Sequence, residues 1–222
     1  MLGAMQDWNL LVTHLIDHAA REHGGREIVT HWADGSETRT DWAGVRRDAM
    51  RMANVLRRLG LGNGDRVATL AMNHAHHLVT WYGAPGAGAV LHTINPRLFD
   101  DQLEYIANHA EDRVLFYDAA FRPIVERLKP RWTSIEHYVC FDDGEFEAWL
   151  DGGEETGEWA PADERDPCML CYTSGTTGHP KGVLYEHRSN LLHTMMTVSA
   201  PALALDARSV VLPVVPMFHA NN

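Results

Sequence analysis

Tyr172-Thr173-Ser174-Gly175-Thr176-Thr177-Gly178-His179-Pro180-Lys181-Gly182 is the stretch from which the rest of this 222-residue chain is read. Four small hydroxyl side chains, three glycines and one lysine fall within it, with apolar Met169 and Leu170 before and Val183 and Leu184 after. Hydroxyls and bare backbone N–H groups donate hydrogen bonds, and glycine lets a backbone close on an anion. The lysine adds a mobile positive charge that can follow a phosphate. In chemical terms the stretch is a phosphate cradle. It is not a Walker A loop, because Gly175 and Gly178 are three apart and Lys181 is followed by Gly182 rather than by serine or threonine. No G-x-G-x-x-G opens a helix elsewhere. The plain alternative is a polar turn between two strands; a run this long, closing on Pro180-Lys181-Gly182, speaks against it.

Composition sets the outer bounds. The chain is long enough for one large core or two small ones, with 45% hydrophobic and 22% charged residues. No apolar run approaches the roughly 18–20 residues a bilayer span needs, and the N-terminus lacks the basic and apolar regions of a secretory signal. Cys140, Cys168 and Cys171 do not suggest a disulfide framework, and a cytoplasmic location is expected. The formal net charge is −11, and residues 142–166 hold eleven acids and one base, Arg165, so nearly all of it sits there. That stretch reads as a solvated loop carrying the acids. With no basic patch or aromatic-interleaved basic stripe, nucleic acid is not an expected partner.

Taken in order, Asn9 is placed to cap a helix with Val12, Leu15, Ile16 and Ala19 on one face, ended by Gly24-Gly25. His14 and His18 on it could form half a metal site, but no third ligand converges, so a solvated face is expected. Residues 27–32 and 37–40 read as a hairpin around Asp34-Gly35, and Thr40 as the cap of a helix closed by Gly60. Strands are expected at 66–72, 90–95, 114–117 and 135–141, with helices at 76–86, 100–110 and 121–128 between them. Alternation of this kind predicts an α/β fold with a largely parallel sheet and helices on both faces. Residues 168–172 form a strand feeding the cradle, 183–186 lead away from it, 189–199 read as a helix, and 210–215 as a last strand broken by Pro213. Cys168 and Cys171 satisfy C-x-x-C, yet residues three apart on a strand point to opposite faces, so both are expected in the core. His74, His76 and His77 are expected in a solvated turn.

The cradle resembles the phosphate-binding signature of the adenylate-forming superfamily, which includes acyl-CoA synthetases, luciferases and peptide-synthetase adenylation domains. Gly64-Asp65-Arg66-Val67, Gly88-Ala89-Val90 and Pro216-Met217-Phe218-His219 resemble further family stretches. Thr93-Ile94-Asn95-Pro96-Arg97-Leu98, with the Pro-Met-Phe-His form, is most similar to medium- and long-chain fatty acid–CoA ligases. The resemblance implies that a carboxylate is joined to ATP as an acyl-adenylate, with release of pyrophosphate, and that the acyl group then passes to coenzyme A. It implies that Thr173, Ser174, Gly175, Thr176, Thr177 and Gly178 hold the β- and γ-phosphates. Thr173 would also help to seat Mg2+, and Lys181, counted as catalytic, would neutralise the departing pyrophosphate. Phe218 and His219 would line the acyl and adenylate pocket.

The resemblance also implies organisation. Residues 1–222 look like the first part of a large N-terminal adenylation domain: a βα array with an N-terminal hairpin at 26–150, an acidic loop at 151–166, and the cradle with the start of the acyl pocket at 167–222. The family's Tyr-Gly-x-Thr-Glu and Thr-Gly-Asp segments and its C-terminal lysine-bearing domain are not among these residues. The 222 residues alone are therefore expected not to turn over substrate. The expected partners are the small molecules fatty acid, ATP and coenzyme A, with no transmembrane segment and a homodimer left open. Adenylation of an aryl or amino acid, or a non-catalytic nucleotide-binding or assembly module, are the alternatives.

Overall fold

The computed structural model describes residues 3–5, 7–173 and 179–219. Helix α1 (Val12–His23) precedes a separate antiparallel hairpin, β1 (Glu27–His31) and β2 (Glu37–Asp41), and the long helix α2 (Trp42–Arg58). Then come β3 (Arg66–Leu70), α3 (Ala75–Gly86), β4 (Val90–Thr93), α4 (Asp100–Ala110), β5 (Asp112–Tyr117), α5 (Arg122–Leu128) and β6 (His137–Cys140). Helix α6 (Glu145–Asp151), the hairpin strands β7 (Pro167–Thr173) and β8 (Lys181–Glu186), and α7 (His187–Val198) complete the order.

The main sheet runs β6-β5-β3-β4-β7-β8, parallel throughout except for β8, which returns antiparallel along the edge. Side chains alternate across it as strand geometry demands. Val67, Val114, Phe116 and Val139 join one core with Ile16, Met52, Leu56, Val79 and Phe146, so α1, α2, α3 and α6 cover that face. Ala68, Leu70, Leu115, Tyr117 and Cys140 join the other with Leu103, Ile106 and Leu128, under α4 and α5. Burial on both faces is why these strands read as continuous apolar runs.

Several expectations are corrected. Residues 210–215 form no strand: Val210, Leu212 and Val214 are exposed, and the backbone carbonyls of Pro213 and Val215 are taken by a side chain rather than by a neighbouring strand. The acidic stretch is not simply a loop. It includes α6, which buries Phe146 and Leu150, and its later part is strapped to α2 by Asn54, whose amide donates to the Glu154 and Thr156 carbonyls, and by Arg57, which donates to the Glu158 carbonyl. Trp159 packs on the core and donates to Asp17, with Arg46 over its ring. Asp41, not Thr40, caps α2. Asn9 does not cap α1; the Val12 N–H there donates instead to Nδ1 of the distant, buried His187, at 3.3 Å.

The histidine cluster differs most from its reading. His74 and His77 are buried and His76 is largely so. His74 caps α3, accepting from the His77 N–H at Nδ1, and its Nε2 meets Asp118 at 2.9 Å. His77 lies between Thr69 and the Met72 carbonyl, and His76 stacks on Phe146 with its Nδ1 at the Phe141 carbonyl. A cap residue at a strand-to-helix turn is solvated only if nothing covers it, and here Trp32, Phe141 and Phe146 do. Cys168 and Cys171, by contrast, lie where expected. Both are buried: Cys168 faces the Tyr185 carbonyl and Asn190, Cys171 faces Thr93, and burial pushes the Cys168 thiol up to about 12.

Candidate functional site

Parallel strands bring their carboxyl ends to one edge of the sheet, and ligands gather where the strand order reverses. Here the reversal lies at β3: the chain moves to β4 on one side, then crosses to β5 on the other. Around this edge lie Asn73 after β3, Asn95 to Arg97 after β4, Asp118 after β5, and the loop after β7.

That loop is the cradle. Thr173 and Lys181 are paired residues at the mouth of the β7–β8 hairpin, where the Thr173 hydroxyl is 3.5 Å from the Lys181 carbonyl. Lys181 is exposed and makes no ion pair among the described residues. Ser174, Gly175, Thr176, Thr177 and Gly178 lie outside the described residues. The hairpin is braced from α4: the Tyr172 hydroxyl is 2.6 Å from Nδ1 of His109, and Tyr105 stacks between His109 and His179. Beneath Tyr172, burial pushes its phenol up to about 12 and keeps it neutral. Deeper on the same face, His92 and Asp112 are both fully buried and bonded at 2.8 Å; burial drives the Asp112 carboxyl upward, and the neighbouring His92 opposes that.

The second group is the segment ending in Phe218 and His219. Phe218 is buried, with the Arg97 guanidinium 6.0 Å from its ring centroid. Arg97 follows β4, and β4 is the strand next to β7, so this aromatic wall ends beside the cradle. A cleft of about 500 Å³ opens between α3, α7 and the segment, lined by Leu78, Trp81, Tyr82, His193, Met217 and His219 among others. Asn73 holds the segment in place: its amide donates to the Pro213 and Val215 carbonyls at 2.8 Å each, and its carbonyl accepts from the Met217 N–H at 2.7 Å. Thr173 and Lys181 are thus brought together at one point of the edge, and Phe218 and His219 at a neighbouring one.

The sequence that folds into this sheet and hairpin matches the family description "AMP-binding enzyme" over residues 16–222. The chain belongs to the AMP-binding enzyme family. It is 47% identical to a 3-methylmercaptopropionyl-CoA ligase of Ruegeria lacuscaerulensis, and the match covers 100% of the chain and 43% of that protein. It is 42% identical to a medium-chain-fatty-acid–CoA ligase of Ectopseudomonas oleovorans, again over 100% of the chain and 43% of the relative. The chain thus spans less than half the length of the curated relatives it matches. Among solved structures, the N-terminal domain of FACL13 from Mycobacterium tuberculosis superposes with a TM-score of 0.81 at 27% identity, over 95% of the chain and 52% of that one. The fold of this AMP-binding enzyme is accordingly that of the N-terminal domain of acyl-CoA ligase structures.

Reading the sequence by residue type located the hairpin and the Phe218–His219 segment but missed what supports them. Asn73, His74, Asp118, Tyr105 and His109 were given no role. For Asn73, His74 and Asp118 the available signal was positional, a polar residue just past the carboxyl end of a predicted strand, which is where a parallel sheet puts its site; Tyr105 and His109, inside α4, carry no such signal.

Proposed function

We propose that this AMP-binding domain works within a longer enzyme that activates a fatty acid with ATP and passes it to coenzyme A. Two features carry the reading: the Thr173–Lys181 hairpin mouth at the end of β7, and the cleft lined by Met217 and His219, whose neighbour Phe218 meets Arg97 just after the adjacent strand β4. A carboxylate oxygen attacks the α-phosphorus, the bond to the β-phosphate breaks, and pyrophosphate leaves. The coenzyme A sulfur then attacks the acyl carbonyl carbon, and AMP leaves with the electron pair of the broken C–O bond.

The protein's part is to offset charge and to fix geometry. In this reading residues 173–178 donate to the β- and γ-phosphates, and Lys181 follows the pyrophosphate as it departs. Among the described residues no group of three histidine, cysteine or carboxylate side chains converges as a metal site. Magnesium carried by a nucleotide needs only one or two protein oxygens, because phosphates and water complete its shell, so the Thr173 hydroxyl at the hairpin mouth fits it. When bound, the ion supplies further positive charge to the phosphates. Phe218 closes the adenylate side of the pocket and His219 its rim.

For the acid itself, the apolar cleft and the medium-chain relative support aliphatic carboxylates of medium or longer chain. A short thioether acid is the second reading, favoured by the higher identity to the methylmercaptopropionyl ligase. Acid-dependent exchange of pyrophosphate into ATP, followed by thioester formation, tests both with a panel of short, medium and long fatty acids, 3-methylmercaptopropionate, benzoates and amino acids. Exchange with none of them overturns the proposal; preference for benzoates or amino acids moves the enzyme to another substrate class.

A further inference from the structure

The Asn73 side chain uses both amide hydrogens and its carbonyl oxygen on a segment about 140 residues away in sequence, holding the backbone of Pro213, Val215 and Met217. Val215, Met217 and His219 are alternate residues of that segment, and all three line the cleft opposite α7. The bonds therefore hold one wall of the cleft by its backbone. Asn73 is itself braced on both sides by one carboxylate: Asp118 accepts from the Met72 N–H through Oδ2 at 2.8 Å and meets Nε2 of His74 through Oδ1 at 2.9 Å. The Asp118 N–H in turn donates to the Leu70 carbonyl, which fixes the bracket to the end of β3.

The wall has no strand ladder among the described residues, so its backbone relies on side-chain contacts, of which the Asn73 bonds are three. Residues 210–215 make no ladder with a neighbouring strand, and Val210, Leu212 and Val214 face solvent. Their irregular backbone is ordered at the points where Asn73 grips it. The opposite walls belong to α3, whose cap His74 shares the same bracket, and to α7. The asparagine at the head of α3 thus ties the 215–219 wall to the helix that faces it across the cleft.

We infer that Asn73 is a positioning residue for acid selectivity: it does not touch the substrate but fixes the wall against which the acyl chain is measured. This rests on the acid-activation reading above. Asn73 bonds to the acyl-pocket segment and not to Thr173 or Lys181, so the effect should fall more on the acid than on ATP. Loss of the clamp lets the wall move, and a displacement on the ångström scale weakens use of the acid by roughly 10- to 100-fold.

The test compares wild type, Asn73→Ala and Asn73→Asp. In the 222-residue chain, amide hydrogen exchange at Met217 should be faster in Asn73→Ala, while Val79 and Thr80 in α3 stay protected. Asn73→Asp keeps the acceptor for the Met217 N–H and removes both donors, so Met217 should remain protected. In the longer enzyme both variants should raise KM for the preferred acid, by about tenfold or more in Asn73→Ala, flatten the chain-length profile, and raise KM for ATP by much less. Unchanged exchange at Met217 in Asn73→Ala overturns the clamp. An equal rise in KM for acid and ATP, or a lowered melting temperature with no change in either, overturns the selectivity role. A wild-type enzyme inactive on every acid overturns the activation reading, while Met217 exchange still decides whether the clamp exists.

Discussion

His179, in the loop between β7 and β8, lies face to face with Tyr105 of α4, their ring centroids 4.3 Å apart and their planes 21° from parallel. The β7–β8 hairpin is therefore tied to α4 by a residue of its own loop. Such a ring pair contributes about 0.5–1.5 kcal/mol beyond the area it buries. Tyr105→Ala should loosen the loop and raise KM for ATP up to about tenfold, with the acid profile intact; Tyr105→Phe should restore it. Steady-state titration of ATP at saturating acid reads this, and unchanged KM in Tyr105→Ala would remove the brace from the account.

Lys181 is exposed and bears on little packing. Lys181→Ala should change stability by no more than roughly 0.5 kcal/mol. Loss of a charge that acts on the departing pyrophosphate should slow its release by about 10²-fold. A coupled pyrophosphate assay on the longer enzyme checks it, and wild-type rates in a well-folded variant exclude the role.

Burial lowers the imidazoles of His77 and His187 from 6.5 to about 4, with His74 adding to the effect on His77. The unfolded chain binds these protons near 6.5 while the folded chain does not. Stability is thus complete above 6.5 and falls as the pH drops toward 4, by up to about 1.4 kcal/mol per pH unit for each histidine. Urea unfolding across this window measures the slope. His187→Gln, which offers an oxygen to the Val12 N–H without titrating, should remove about half of the histidine part. Stability independent of pH in the window would contradict the burial of both rings.

At Gly153, just beyond α6, a Cβ would run into the backbone carbonyl of Arg51 in α2. Backbone cannot step aside as a side chain can, so Gly153→Ala should cost about 1–3 kcal/mol. Gly62, where a Cβ meets nothing within 4 Å, is the control. Thermal unfolding of the two variants should separate them, and equal melting temperatures would mean the strap does not lie close on α2.

The helices and parallel strands were legible because their signals are local and repeat: α4 is found at residues 100–110, where its apolar spacing puts it, and β3 to β6 lie where apolar runs do. What escaped has non-local causes. Residues 210–215 have the composition of a strand, but a strand needs a partner, and Asn73 takes the backbone groups instead. His74, His76 and His77 are polar letters at a turn, and only the fold brings Trp32, Phe141 and Phe146 over them. Val12 is capped by His187 from across the molecule, which no spacing near Asn9 could announce. The hydroxyl and glycine pattern of the cradle did mark the hairpin, since its chemistry is written in consecutive residues; its braces, Tyr105 and His109, are not consecutive with it.

β7 is in register with β4 at Leu91–Met169 and His92–Leu170, with Thr93 against Cys171 beyond, whereas it runs beside β8 from Pro167 to Thr173. The hairpin is bound along its length to itself, to the sheet over a short seam, and to α4 through Tyr172 and His179 near its mouth, so its tip swings about the seam only as far as those braces yield. Strand residues advance about 3.3 Å each, so the hairpin mouth stands roughly 10 Å beyond the seam, and a rotation of about 10° there carries it nearly 2 Å. Reaction geometry tolerates less than that. The tightness of packing around Leu91 and Met169, well inside the core, thus governs, with those braces, how accurately the hairpin delivers its tip. Substitutions at that seam should alter turnover without touching a single reacting atom.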